Sequence, residues 1–169
     1  MQTYTRLPQR QGPKPTTTPS TPHQQLDQTS PPDLQDALWL RMLSLAGTSA
    51  RPSGVSVQGT RALWLDEAGN AAAFMVGREF AHLHPAYDGS LHMTLDPQTH
   101  AFAMAGGWAE PHPLAGRFAP ATTALIYGPR DEAEVDLVWW LVQQSHRYAR
   151  GLKPDLYLPM PARAMHAPS

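Results

Sequence analysis

Residues 78–92 read Arg78-Glu79-Phe80-Ala81-His82-Leu83-His84-Pro85-Ala86-Tyr87-Asp88-Gly89-Ser90-Leu91-His92. Two alternating runs flank a turn rich in Pro, Asp and Gly, which is the pattern of an antiparallel hairpin. Strand side chains alternate between faces, so parity sorts the segment. Ala81, Leu83, Leu91, Met93 and Leu95 fall on a core face, and His82, His84, Ser90, His92 and Thr94 on the other. A turn over residues 85–89, with Asp88-Gly89 tolerating positive φ, sets His82 opposite His92 and His84 one pleat away. Opposed residues have Cβ atoms about 4.5–5.5 Å apart, so three imidazoles can share one pocket. The same parity assigns Glu79 to the core face, where it needs a partner such as Arg130 or Arg61.

Outward from the hairpin, Ser30-Pro31-Pro32-Asp33 predicts a helix start, with Ser30 as cap and Pro31 in the first turn. Leu34, Ala37, Leu38, Met42 and Leu45 give that helix an apolar stripe, and Gly47 ends it. A Gly/Ser/Pro-containing connection leads to a strand over 60–65, a turn over 66–70 and a short candidate strand over 71–76. Asp96-Pro97 opens a helix that runs to Gly106-Gly107, and a loop carrying Trp108 and His112 follows. Residues 122–127 are β-rich. Asp131 and Glu134 then cap a helix reaching about Arg150, too apolar for one exposed surface and therefore expected to cross the sheet. The order predicts an α+β fold: a largely antiparallel sheet with a histidine-bearing hairpin, packed against an N-terminal and a C-terminal helix.

Seven of the 18 prolines, with seven threonines and six glutamines, lie in residues 1–32. So few strong apolar residues accompany them that residues 1–32 are expected to form a disordered tail. The domain is assigned to 33–152, and 153–169 to a proline-rich C-terminal tail. A net charge of −1 offers no basic footprint for nucleic acid. With no cysteine, disulfides, thiolate metal sites and a cysteine nucleophile are excluded. No apolar run approaches the roughly 18 residues that span a bilayer, and Met1-Gln2-Thr3-Tyr4-Thr5-Arg6 lacks a signal-peptide core. No membrane association and a cytoplasmic location are the expectations; oligomeric state is left open.

Three blocks follow one another: Arg78 to His84 with Ser90-Leu91-His92; Gly107-Trp108-Ala109-Glu110-Pro111-His112-Pro113-Leu114-Ala115-Gly116; and Tyr127-Gly128-Pro129-Arg130-Asp131-Glu132-Ala133-Glu134. Over roughly residues 47–150 the chain resembles the fungal luciferase domain family, as a small, non-luminous member. The resemblance implies an oxygenase that adds molecular oxygen to an enolisable ring such as a 3-hydroxy-2-pyrone, loses carbon dioxide and uses no organic cofactor. Where the family has Gly-Trp-Gly followed by Gln-Arg-His, this chain has Trp108-Ala109-Glu110-Pro111-His112.

Under that reading, His82, His84 or His92 is the base that takes the enol proton, since an imidazole near pKa 6.5 suits the task. Arg78 and Arg130 are candidates to hold the developing oxyanion. Trp108 and Tyr127 can stack on a flat ring, with Asp88, Glu110 and His112 completing a substrate site. A second reading makes His82, His84 and His92, or two of them with Asp88, Glu110 or His112, the ligands of iron or zinc. Absent thiols and scarce carboxylates favour a metal-free protein. A third reading is non-catalytic: a small-molecule-binding or structural domain whose histidines are satisfied by hydrogen bonds. His23, His100, His146 and His166 lie outside the blocks and are read as surface residues.

Overall fold

The structure, a computed structural model, describes residues 6–156. Helix α1 spans Pro32–Met42, and strands β1 (Thr48–Pro52) and β2 (Arg61–Leu65) follow. After one 3-10 turn at Ala71–Ala73 come β3 (Glu79–Leu83), β4 (Leu91–Thr94) and α2 (Pro97–Ala105). Strands β5 (Ala109–Pro111) and β6 (Thr123–Ile126) and helix α3 (Glu132–Ala149) complete the order. The strands form one open antiparallel sheet in the order β1-β2-β3-β4-β6-β5. This is the α+β class, with the histidine hairpin at the centre of the sheet.

Alternation sorts the central strands as the sequence predicts. Ala81 pairs with Met93 and Leu83 with Leu91, and all four are fully buried in the core that α3 covers. Helix α3 turns Leu137, Val138 and Leu141 into that core, and its Ser145 hydroxyl donates to the Thr94 carbonyl across the sheet. Asp131 and Asp96 cap α3 and α2, each accepting the N–H of the residue three positions on. Helix α1 starts differently: Pro31 occupies the cap position without a side-chain bond, and the buried Ser30 hydroxyl has no partner in a cap.

Strands β1 and β5 arise in segments read as connections. Thr48-Ser49-Ala50-Arg51-Pro52 does not alternate in polarity and Ala109-Glu110-Pro111 is too short to show a period; both are edge strands with one partner each. The candidate strand at 71–76 is instead a 3-10 turn, begun by the Asn70 side chain accepting the Ala72 N–H.

The largest departure lies before α1. Residues 6–31 form a strap across the histidine face of the sheet, with Leu7, His23 and Gln25 at 2 %, 4 % and 2 % exposure. Polar anchors replace the missing apolar ones. Gln25 accepts the Gly128 N–H, donates to Asp27 and Gln28 carbonyls, and its own N–H reaches Asp88. Trp108 donates to the Pro8 carbonyl at 2.7 Å, and Arg10 lies over the Tyr127 ring. A tail of low hydrophobicity is thus ordered by side-chain to backbone bonds that composition does not reveal. Residues 1–5 and 157–169, the ends of the two expected tails, lie outside the described residues.

A buried histidine cluster as candidate functional site

The register of β3 and β4 places His82 directly opposite His92. His84, one residue beyond β3, joins them because its N–H still pairs with the Ser90 carbonyl across the turn. The three rings converge: His82 Nε2 is 3.0 Å, and His84 Nε2 3.1 Å, from His92 Nδ1. All three residues are at most 4 % exposed.

The outer nitrogens of His82 and His84 each have a carboxylate. His82 Nδ1 is 2.8 Å from Glu79, which also accepts the Ser53 hydroxyl and the Gly54 N–H. His84 Nδ1 is 3.1 Å from Asp88, which also accepts the Ser90 N–H and hydroxyl. Glu79 reaches this face through a β-bulge: between Leu63 and Trp64 the partner advances from Ala81 to Glu79, skipping Phe80. The extra residue reverses parity, sending Phe80 to the core and Glu79 to the histidines. The expected Arg130 or Arg61 partner is therefore replaced by His82.

The cluster extends through the strap. His23 Nδ1 lies 3.0 Å from His92 Nε2, and His23 Nε2 lies 3.4 Å from Glu110, which accepts the Tyr127 hydroxyl. His112 packs its ring against both, with centroids 4.6 Å from His92 and 5.5 Å from His23. Its Nδ1 accepts the Leu114 N–H, which leaves the proton of the neutral ring on Nε2. Five imidazoles and three carboxylates thus occupy one buried region. A cavity of about 600 Å³ opens on it, walled by His23, His82, His92 and His112 on one side and by Val55, Met75 and Leu114 among its apolar lining.

Burial disfavours the protonated form of His23, His82, His92 and His112. It lowers His82 despite the opposing hydrogen bond that the ring donates to Glu79, and it lowers His23 despite Glu110. His92, buried and ringed by other histidines, falls well below the ordinary value. His112 is lowered to about 4, by burial first and then by its neighbours. Burial opposes the Asp88 charge, but the bonds from His84 and Ser90 outweigh it and hold its pKa below the ordinary carboxylate value.

Of the residues singled out from sequence, His82, His84, His92, Asp88, Glu110 and His112 meet here, and Tyr127 reaches the cluster through Glu110. Three do not. Arg78 is exposed and donates to the Asp66 carbonyl, on the far side of the bulge from the cluster. Arg130 is held by Glu134 at 2.7 Å and reaches Gln28 and the Gln11 carbonyl, so it ties the strap to α3. Trp108 is in the core with its N–H spent on Pro8. His23, expected at the surface, is buried against His92; nothing local in a Pro/Thr/Gln-rich stretch signals such a long-range contact. His146 is buried as well, its Nε2 2.8 Å from the Ala46 carbonyl, and His100 is half-buried. His166 lies outside the described residues.

The architecture and site define an α+β domain with a histidine-walled cavity. Residues 77–145 match the family described as Luciferase domain. A luciferase of Armillaria ostoyae is 38% identical over 74 residues, which cover 42% of this chain and 28% of that protein. A luciferase of Neonothopanus nambi is 36% identical over the same length, with the same shares. The match therefore spans less than a third of these relatives. No solved structure matches the chain. The chain carries a luciferase-like domain, and β3, β4, β6 and the histidine hairpin lie inside the matched segment. The strap with His23 lies outside it. Among the described residues no helix is long and apolar enough to cross a membrane.

Proposed function

We propose that the domain is an oxygenase that adds molecular oxygen to an enolisable ring compound of the 3-hydroxy-2-pyrone class, with no organic cofactor and no light emission. The observation that carries this reading is the cavity itself: an apolar space of about 600 Å³ with neutral, carboxylate-backed imidazoles on one wall. Such a space fits one flat ring, and its basic wall sits where an enol proton must leave.

In this reading the enol O–H gives its proton to the lone pair of His82 Nε2. Glu79 accepts the His82 Nδ1–H, fixes the tautomer and stabilises the imidazolium that forms, as a carboxylate does behind a catalytic histidine. The electron-rich enolate then forms a carbon–oxygen bond to dioxygen, and collapse of the peroxide opens the ring with loss of carbon dioxide. The overall balance is one pyrone and one O2 to one open-chain keto acid and one CO2. His112, with its proton on Nε2, takes the oxyanion-holding role that Arg78 and Arg130 are too far committed elsewhere to fill.

The test is oxygen consumption by the purified protein with a panel of hydroxypyrones and related enols, with product mass followed in parallel. Uptake that disappears in His82→Ala and His92→Ala variants that still fold supports the reading. No uptake with any panel member, while the same compounds raise the melting temperature, replaces it with a binding domain.

A further inference from the structure

We infer that His82, His84 and His92 form a binding site for one divalent transition-metal cation, whose open coordination positions face the cavity. The first support is proton bookkeeping. Glu79 and Asp88 accept from Nδ1 of His82 and His84, so in the neutral form of each ring Nε2 carries the lone pair, and both Nε2 atoms point at His92 Nδ1. The neutral His92 ring has one proton to place. On Nε2 it is donated to His23 Nδ1, and His23 in turn directs its Nε2–H toward the Glu110 carboxylate 3.4 Å away, so each outer nitrogen faces a complementary partner. Three lone pairs then meet at the centre with no proton among them. On Nδ1, the His92 proton relieves the centre, but His23 must give its only proton to His92 and turn a bare lone pair toward the Glu110 carboxylate. A cation at the centre removes the conflict: it takes all three lone pairs and leaves the outer chain intact.

The second support is geometry. One nitrogen from each ring lies within 4.8 Å of the others, and His82 Nε2 and His84 Nε2 stand 3.0 and 3.1 Å from His92 Nδ1. Ligands about 2.0–2.1 Å from a tetrahedral ion stand roughly 3.3 Å apart, so small side-chain shifts complete the site. The third is the outer carboxylates. A metal-bound histidine usually gives its other N–H to a carboxylate or carbonyl, which fixes the ring and raises its basicity, and here Glu79 and Asp88 do so. His82 and His92 also line the cavity, which supplies an entry path.

The other triplet, His23, His92 and His112, is as compact but chemically unsuited. His112 Nδ1 already accepts the Leu114 N–H, and His23 Nδ1 accepts the proton that His92 would have to release. The expectation of a metal-free protein rested on missing thiols and few carboxylates. Three imidazoles need neither, because the carboxylates serve behind the ligands. Resting on the oxygenase reading, one consequence follows: with the cation bound, His82 Nε2 is a ligand and no longer the base, and the adjacent carbonyl and enol oxygens of a 3-hydroxy-2-pyrone form a chelating pair for the open positions, where the ion's charge lets the enol release its proton to solvent.

The test uses the full chain, stripped with a chelator and then titrated with Co(II) alone. The expected result is visible ligand-field absorption that saturates at one equivalent and is displaced by Zn(II). His84→Gln and His92→Gln should weaken binding at least about 100-fold. Glu79→Gln, which does not touch the ion, should weaken it about 10–100-fold with circular dichroism unchanged. If Glu79→Gln fails to fold, Asp88→Asn poses the same question through His84. A spectrum that stays silent, or Co(II) binding indifferent to His84→Gln, overturns the site. Oxygen uptake by protein that binds no Co(II) overturns the site and leaves the oxygenase reading standing. Tight Co(II) binding with no uptake by Fe(II)-, Mn(II)- or Zn(II)-loaded protein does the reverse.

Discussion

His82 and His92 face each other across the central strand pair, and the 3.0 Å contact between their rings is the hinge of the cluster, since His92 alone touches His82, His84 and His23. Replacing His92 with alanine should therefore do two things at once. It should cut oxygen uptake about 100-fold, the scale for a misplaced catalytic group, because His82 Nε2 loses the ring it packs against. It should also cost about 1–3 kcal/mol of stability, because buried ring nitrogens lose their partners. Uptake rates and urea unfolding on the same preparation check both. Unchanged uptake in a folded His92→Ala variant would remove the cluster from the chemistry.

Gln25 holds the strap down by bonds to Gly128 and Asp88 and folds it on itself through the Asp27 and Gln28 carbonyls, and it is 2 % exposed. The side-chain bonds vanish in Gln25→Ala, leaving the buried Gly128 N–H unsatisfied at a cost of about 1–3 kcal/mol. The damage should be local: amide exchange should quicken over 6–31 and at Gly128 while β3 and β4 keep their protection. Equal acceleration throughout the sheet would mean that the strap is part of the global folding unit rather than a cover laid on it.

The hairpin was legible because its signal is local: parity needs only the residues themselves, and it placed His82 against His92 correctly. The helices were legible for the same reason, through Asp96-Pro97 and Asp131. What stayed hidden was long-range or broke a local rule. His23 reaches His92 across 69 residues of chain, and its flanking Thr and Pro give no period to follow. Glu79 changed faces because one inserted residue, Phe80, reversed the alternation on which its assignment depended. Arg78 and Arg130 sit in the matched blocks, yet a block records proximity in sequence. The bulge turns Arg78 outward, and Glu134, one helical turn along, captures Arg130.

His146 gives a pH test remote from the cluster. Burial lowers its pKa despite the bond to the Ala46 carbonyl, and the nearby Arg150 and Arg147 lower it further. In the unfolded chain the ring titrates near 6.5, so below that pH the unfolded state binds the proton first. The stability that neutral His146 contributes is thus present above about pH 6.5 and is lost as pH falls through the folded value. Urea unfolding of wild type and His146→Gln at about pH 7.5 should differ by about 1 kcal/mol, the worth of one buried hydrogen bond. At about pH 5 the gap should narrow. A gap that is constant across this range would show that His146 is protonated alike in both states.

Gly89 ties the turn to the site. Its φ is +72°, and a Cβ there would stand 2.5 Å from Gln35 Nε2, 2.8 Å from Gln35 Cδ and 3.0 Å from Ser30 Cβ. Gln35 cannot swing aside freely, because its Nε2 donates to the Ser30 and Ala86 carbonyls and the residue is 1 % exposed. Gly89→Ala therefore combines left-handed strain with overpacking and should cost about 2–4 kcal/mol. The turn can relieve the clash only by moving Asp88 and Ser90, the two partners of His84 Nδ1. Substrate turnover should thus fall more than the loss of folded protein explains, and Co(II) affinity should fall with it. A folded Gly89→Ala variant with wild-type turnover and Co(II) binding would mean that the His84 anchor tolerates a shifted turn, and that the hairpin strands alone hold the three rings together.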